Sequence, residues 1–340
     1  MAKQGQWATI RDIAKASNVS IATVSRYLNQ SGYVEIETGQ RIAKAIENIG
    51  YMPSIAARSL RSQKSKIILL AVPDICNPFY SRLAKVAQKM LSERGHVMTL
   101  YDSNESTDEV NAVAIAQQIY ASGIILASID IKSNVIEALR KSAIPVVGLN
   151  AYAQVPFDTV HVKSHDGTYL AMRHLLQLGH RRIGFAGGTP GSMIANSRRQ
   201  GYEAAMSEME LPIPPDLMME RGFSQEDGYE MGKAFARMTL LPTGICCAND
   251  QIALGLINAV QEAGYEVPNM LSVTGMDDIP YARTSNPSLT TVTNDSAEFA
   301  REGIQMLFDR IESRYAGVPR DISITHALVP RASTRKPRAL

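Results

Sequence analysis

Residues 9–26 read Thr9-Ile10-Arg11-Asp12-Ile13-Ala14-Lys15-Ala16-Ser17-Asn18-Val19-Ser20-Ile21-Ala22-Thr23-Val24-Ser25-Arg26, and this stretch decides how the rest of the chain is parsed. Thr9 and Asp12 stand three apart, the spacing of a capping box. They open a helix through Ala16 with Ile10, Ile13 and Ala14 at helical spacing. Ser17-Asn18-Val19 reads as a turn, after which Ser20 can cap a second helix reaching Leu28. Val24 and Leu28 form its inner face, leaving Ile21, Ala22, Ser25, Arg26 and Asn29 outside. A third helix is expected from about Ile36 to Ile49, with Ile42, Ala45, Ile46 and Ile49 inward. Gly39 lies inside it and weakens it by about 1 kcal/mol relative to Ala. Two short helices joined by a tight turn, with a packing helix, make an N-terminal all-α helix-turn-helix domain.

The remaining chain has the bulk of an ordinary globular protein. Its 340 residues suggest two or three compact units, and 45% apolar content argues against disorder. The longest apolar runs are strand-length, as in Ile67 to Val72, which gives no reason to expect a membrane partner. The first thirty residues hold no apolar signal segment. Three cysteines (Cys76, Cys246, Cys247) make no even framework and read as reduced thiols, so a cytoplasmic location is expected. The net charge of +2 is unevenly spread. Residues 1–66 carry ten Lys/Arg against four acids, the last ten residues add four cations, and the 264 residues between must therefore carry −8. A basic head on an acidic body points to a phosphate-backbone partner for the head.

From residue 67, apolar strand-length runs alternate with helix-length segments. Strands are expected at 67–72, 97–101, 123–129, 144–149, 159–162, 182–187, 218–223, 244–248, 271–276 and 289–293. Helices are expected near 78–94, 108–121, 133–141, 165–178, 197–209, 225–238, 250–263 and 296–315. Repeated βα units predict parallel sheets with helices on both faces. Ten strands divide into two halves near residue 163. Together these readings predict an α/β body of two doubly wound parallel-sheet subdomains, with a cleft at the carboxyl ends of the strands.

The head stretch resembles the signature of the lactose-repressor (LacI/GalR) family of bacterial transcription regulators. Gly50-Tyr51-Met52-Pro53-Ser54-Ile55-Ala56-Ala57-Arg58-Ser59-Leu60 is similar to that family's hinge. The match continues in order through Pro73-Asp74-Ile75-Cys76-Asn77-Pro78-Phe79, Leu178-Gly179-His180-Arg181-Arg182-Ile183-Gly184, Ala248-Asn249-Asp250 and Gly275-Met276-Asp277-Asp278-Ile279-Pro280. The resemblance implies a periplasmic-binding-protein-like body crossed three times by the chain. The implied division is a head at 1–61, with a hinge helix at about 53–61, and a body at 62–340. Within the body it implies an N-subdomain near 66–163 plus 295–322 and a C-subdomain near 164–294 plus 323–340. It also implies a homodimer on double-stranded operator DNA, controlled by a small-molecule effector, a sugar or sugar derivative. No cofactor is implied.

The resemblance turns Ser20, Ile21, Ala22, Ser25 and Arg26 toward the major groove. Arg26 has the two donors that suit guanine O6 and N7, and Ile21 and Ala22 suit thymine methyls. Thr9, Thr23, Ser25 and Asn29 carry the small polar groups of phosphate contacts. In the hinge, Pro53 suits a first helical turn, and the resemblance places Ala57, Arg58 and Leu60 in the minor groove with Leu60 as a wedge. The C-terminal tail from His326 to Pro337 has two prolines and no heptads, so tetramers are not expected.

At expected strand ends sit Asp74, Asn150, Asn249 and Asp277, with Arg198 early in a helix. Such groups bond vicinal hydroxyls, while Phe79, Tyr80 and Phe223 offer flat faces to a sugar ring. By resemblance Arg198, Asn249 and Asp277 match effector contacts and Phe223 an aromatic wall, with Arg199 a competing register for Arg198. Lys163 stands where the family often has Asp and brings a cation to the cleft. Catalysis is poorly supported: there is no G-x-G-x-x-G, Walker A or G-x-S-x-G sequence. His161, His165 and Asp166 straddle a strand end rather than one helix face, so a metal site is not expected. The alternative function is a sugar or phosphosugar enzyme with an appended DNA-binding head.

Overall fold

The computed structural model describes residues 8–29, 31–51, 65–103, 109–127, 131–150 and 155–338, which divide into two compact units, up to Ser65 and from Lys66 onward. The expected hinge residues Pro53, Ala57, Arg58 and Leu60 lie outside the described residues.

The first unit is three helices, α1 (Ile10–Ser17), α2 (Ile21–Asn29) and α3 (Ile36–Ile49). Asp12 accepts hydrogen bonds from the Thr9 backbone N–H at 2.8 Å and hydroxyl at 2.7 Å, which anchors the start of α1. Asn18 ends it in the left-handed region at φ 50°, and the Val19 N–H returns to the Ala14 carbonyl at 3.0 Å. Ser20 then accepts from the Thr23 N–H at 3.1 Å to start α2. Ile13, Val24 and Ile42 are fully buried where the helices meet. Gly39 belongs in α3 for a packing reason: the Tyr27 ring would sit 3.3 Å from a Cβ at that position.

Among its described residues the second unit holds two six-stranded sheets. The N-lobe sheet contains β1 (Ile67–Val72), β2 (Val97–Asp102), β3 (Gly123–Leu126), β4 (Val146–Leu149), β5 (Asp158–Val162) and β11 (Asp321–Ile324), in the order β2-β1-β3-β4-β5-β11. The C-lobe sheet contains β6 (Ile183–Gly187), β7 (Met218–Glu220), β8 (Gly244–Cys247), β9 (Ser272–Asp277), β10 (Thr290–Thr293) and β12 (Leu328–Val329), in the order β7-β6-β8-β9-β10-β12. All neighbours are parallel except the β10–β12 pair. Runs such as Ile68 to Val72 are buried throughout because helices cover both faces of the sheet.

The helices of the body are α4 (Pro78–Glu93), α5 (Glu109–Gln118), α6 (Ser133–Ser142), α7 (Ser164–Gln177), α8 (Met193–Glu208), α9 (Gln225–Ala236), α10 (Asp250–Glu262), α11 (Pro280–Thr284) and α12 (Ser296–Ile311). Every expected strand and helix of the body is present, with shifted ends. Helix α8 starts at Met193 rather than 197 because Ser192 accepts from the Ala195 N–H at 3.2 Å and caps it. β11, β12 and α11 were not expected from the sequence.

The chain crosses between the lobes from β5 to α7, from β10 to α12 and from β11 to β12. Strand β11 runs to Ile324, so the last crossing falls beyond residue 322. The tail is woven into the C-lobe: buried Ser333 donates to the Val273 carbonyl at 2.6 Å and accepts from the Thr290 N–H at 2.8 Å. In the N-lobe, buried Asp158 accepts from both Arg310 and Arg320, fastening β5 to α12 and to the approach to β11. Burial alone would raise its pKa; the two guanidinium groups outweigh burial and hold it below the usual carboxylate value.

Candidate DNA-reading helix and effector cleft

On α2 the outward residues of the sequence pattern are outward in the structure: Ser20, Ile21, Ala22, Arg26 and Asn29 are exposed, and Thr23 and Ser25 half-buried. Ile21 is 45% exposed, a large apolar side chain with nothing covering it within its own unit. The Arg26 stem lies alongside Gly32, its Cδ 3.2 Å from where a Cβ on that glycine would stand. Three of the expected phosphate-contact groups are spent locally: Asn29 donates to the Ser25 carbonyl at 2.8 Å, Ser20 and Thr23 share a 2.9 Å hydroxyl bond, and Thr9 serves the α1 cap.

In the body, the strand ends converge as doubly wound topology requires. Arg198 on α8 is buried, donates to the Ala248 carbonyl at 2.6 Å, and stands 3.7 Å from Asp277 at the end of β9. Its Nε atom is buried without a partner. The Phe223 ring lies 5.8 Å from the Arg198 guanidinium and flat on Gly188, where a Cβ would approach to 2.0 Å. Gly188 therefore makes room for the aromatic wall. Asn294 donates to Asp277 at 3.2 Å, and its own amide oxygen is buried without a partner. Burial raises the Asp277 pKa, and Arg198 and Asn294 offset this only in part.

In the N-lobe, Tyr80 lies buried at the start of α4. Burial holds its hydroxyl protonated, reinforced by the Asp277 and Asp74 carboxylates and opposed by Arg198. The Tyr80 hydroxyl is thus within electrostatic reach of Asp74 in its own lobe and of Arg198 and Asp277 in the other. Backbone conformation marks the same place: Asn150, Asp277 and Asp278, all at strand ends, have φ of 64°, 118° and 48°. Non-glycine residues in that region cost about 1–3 kcal/mol each and persist where surrounding bonds over-determine them, typically at ligand clamps.

Phe79, Asn249 and Lys163 are placed differently. Phe79 is in the N-lobe core, edge-on to Tyr80 at 5.0 Å and to Phe299 at 5.9 Å. Asn249 caps α10 by accepting from the Ile252 N–H at 2.8 Å, and it donates to the Phe223 carbonyl at 2.9 Å. It therefore holds the aromatic wall from behind. Asp74 accepts from the Cys76 N–H at 2.8 Å. Lys163 is exposed at the first crossing, immediately before α7, and Asp166 engages His165 at 3.1 Å. Of the two candidate arginines Arg198 is the cleft residue, since Arg199 turns to Glu203 and Glu220, each at 3.7 Å. Asp250 accepts from Thr291 at 2.5 Å and from the Ile279 N–H at 2.9 Å, and Asp278 pairs with Arg331 and Arg283, so both hold the loop after β9. No group of His, Cys, Asp and Glu among the described residues could hold a metal ion. No described helix is long and apolar enough to cross a membrane.

Comparison with known proteins agrees with this geometry. Residues 9–54 match the family of bacterial regulatory proteins of the lacI type, and residues 172–334 match a periplasmic binding protein-like domain. The chain is 32% identical over 332 residues to the HTH-type transcriptional repressor PurR of Haemophilus influenzae strain PittEE, covering 96% of this chain and 99% of that protein. It is also 32% identical to PurR of Pasteurella multocida strain Pm70, covering 90% and 93%. Among solved structures, the lac repressor dimer bound to operator and the anti-inducer ONPF superposes with TM-score 0.85 at 25% identity, covering 97% of this chain and all of that one. A LacI family regulator from Enterococcus faecium with bound ribose superposes with TM-score 0.73 at 26% identity, covering 79% and 99%. Helix-turn-helix head, two-lobed cleft and full-length likeness lead to one conclusion: the chain belongs to the lacI family of bacterial regulatory proteins, and it is a ligand-responsive, DNA-binding transcriptional regulator rather than an enzyme.

Proposed function

We propose that the protein is a homodimeric repressor of carbohydrate-metabolism genes whose effector is a sugar or sugar derivative held between the lobes. The observation that carries this reading is the convergence of Tyr80 and Asp74 from one lobe with Arg198, Asp277 and Phe223 from the other. A flat ring beside a guanidinium and a carboxylate suits the apolar face and paired hydroxyls of a sugar. Asn249 supports the wall, and Lys163 would add a charge-assisted bond to an anionic effector. The ribose held by the Enterococcus relative supports the same ligand class.

On DNA, Ser20, Ile21, Ala22, Ser25 and Arg26 would face the major groove, with Thr9, Thr23, Ser25 and Asn29 along the backbone. Ala57, Arg58 and Leu60 would enter the minor groove as a hinge pair. One α2 reads only a few base pairs, so a two-fold dimer on a near-palindromic site supplies the needed length. The test is to select duplexes from a random pool and titrate the best of them by fluorescence anisotropy with a panel of sugars and sugar phosphates. A regulator shifts its DNA affinity without consuming the ligand. A panel that leaves the affinity unmoved overturns the sugar reading, and a scattering mass of one or four chains overturns the dimer.

A further inference from the structure

The first and third crossings leave β5 and β11, which are paired up to Val162 and Ile324, so these two are joined at their N-lobe ends; beyond that ladder the three crossings are not tied equally. The second and third are paired directly: the Thr293 N–H donates to the Ala327 carbonyl at 2.8 Å, and the Ala327 N–H to Thr293 Oγ1 at 2.9 Å. His326, on the third crossing, adds a 2.7 Å bond from Nδ1 to the Thr293 carbonyl. A carbonyl only accepts, so Nδ1 carries the proton there. The other ring nitrogen, Nε2, is buried without a hydrogen-bond partner. It faces the first crossing. A Cβ on Gly167, in the first turn of α7, would lie 3.0 Å from it, and the Gly167 N–H itself donates to the Lys163 carbonyl at 3.2 Å, with the Asp166 N–H at 2.9 Å; that carbonyl favours a proton on the ring. In the neutral ring Nε2 is a bare lone pair, which cannot bond a carbonyl.

We propose that His326 is a positioning residue of the lobe hinge: a second proton on its ring, donated from Nε2 to the Lys163 carbonyl, ties the first crossing to the other two and fixes the angle between the lobes. The proton comes from water. The consequence for regulation rests on the cleft reading above, but the hinge chemistry does not.

The surroundings set where the device works. Burial disfavours the charged ring most, and the Arg198 guanidinium on α8 adds to that. The Thr293 and Lys163 carbonyls and the Asp166 carboxylate on α7 act the other way. The balance lowers the pKa below its ordinary value, so the hinge is loose at neutral pH and tightens on the acid side.

The experiment uses the full chain with no effector and with Cys76→Ser to remove the exposed thiol. Spin labels go on through Lys141→Cys in the N-lobe and Leu240→Cys in the C-lobe, both exposed. Pulsed electron resonance reads the inter-lobe distance distribution at about pH 8 and about pH 5.5, while the His326 ring proton is followed by NMR. The distribution should narrow on acidification with the midpoint of the ring titration. His326→Asn keeps an N–H at the Nδ1 position for the Thr293 carbonyl but takes up no proton, and should stay broad at both pH values. Equal narrowing in His326→Asn, a width that ignores pH, or a ring that stays neutral until the chain unfolds each overturns the proposal. No arm contains an effector, so failure here leaves the cleft reading to its own titration.

Discussion

The Arg198 guanidinium lies 3.7 Å from the Asp277 carboxylate with side chains only 4% and 7% exposed, close enough for attraction but too far for a direct hydrogen bond. Two nearly dry charges at that separation are costly, and they leave donors and acceptors available to a third party. Arg198 Nε and the Asn294 amide oxygen are both unspent. A site built this way has more polar capacity than its own side chains use.

Arg198→Met should destabilise the body by about 3 kcal/mol at neutral pH, because it leaves Asp277 buried and uncompensated. The deficit should shrink as pH falls, since a protonated Asp277 needs no counter-charge. Adding Asp277→Asn should recover part of the loss. Urea titrations of the single and double variants at two pH values check all three statements.

Gly188→Ala should displace the Phe223 ring, which lies 2.0 Å from where the new Cβ must go. The expected result is weaker effector binding with DNA affinity unchanged in the absence of effector. Calorimetry with any sugar that binds the parent chain, beside anisotropy on the selected duplex, separates the two. Unchanged sugar affinity would show that the ring is no part of the binding wall.

His174, His180 and His326 all have lowered pKa values, chiefly because burial disfavours their charged forms. The unfolded chain then binds protons that the folded chain refuses, so stability rises with pH across this window. The contribution is complete above the ordinary histidine value of about 6.5 and is lost as pH falls below it toward the folded values. Melting scans should show Tm falling from about pH 7.5 to about pH 5.5, and His180→Gln should flatten that slope.

Arg26→Ala should cost about 1–3 kcal/mol of discrimination per half-site if the guanidinium holds a guanine, with little change on random DNA. Competition of specific against random duplex at fixed salt measures it. An equal loss on both duplexes would make Arg26 a phosphate contact.

Much of this was legible in the chain because the signals are local. A capping box, a Ser-Asn-Val turn and a Ser cap are read within four residues, and each is formed as written. The interior strands announce themselves because sheets covered on both faces need continuous apolar runs. β11 and β12 were missed for the opposite reason: Asp321–Ile324 and Leu328–Val329 are short, partly exposed edge strands with no such demand on composition.

Local signals along the chain therefore specify the parts: a helix-turn-helix head, repeated βα units, their division near residue 163 and the residue types suited to a polar cleft. Those follow from periodicity, caps and charge, which depend on near neighbours along the chain. Which of those residues share a site was settled by packing. Arg198 and Arg199 are adjacent and chemically identical, yet one is buried beside Asp277 and the other turns toward Glu220. Asn249 caps a helix, Phe79 fills a core, and His326 becomes a hinge residue by meeting the Thr293 carbonyl 33 positions away. Partners so far apart in the chain are chosen by how the sheets and helices pack, and packing has no signature within any single stretch of residues.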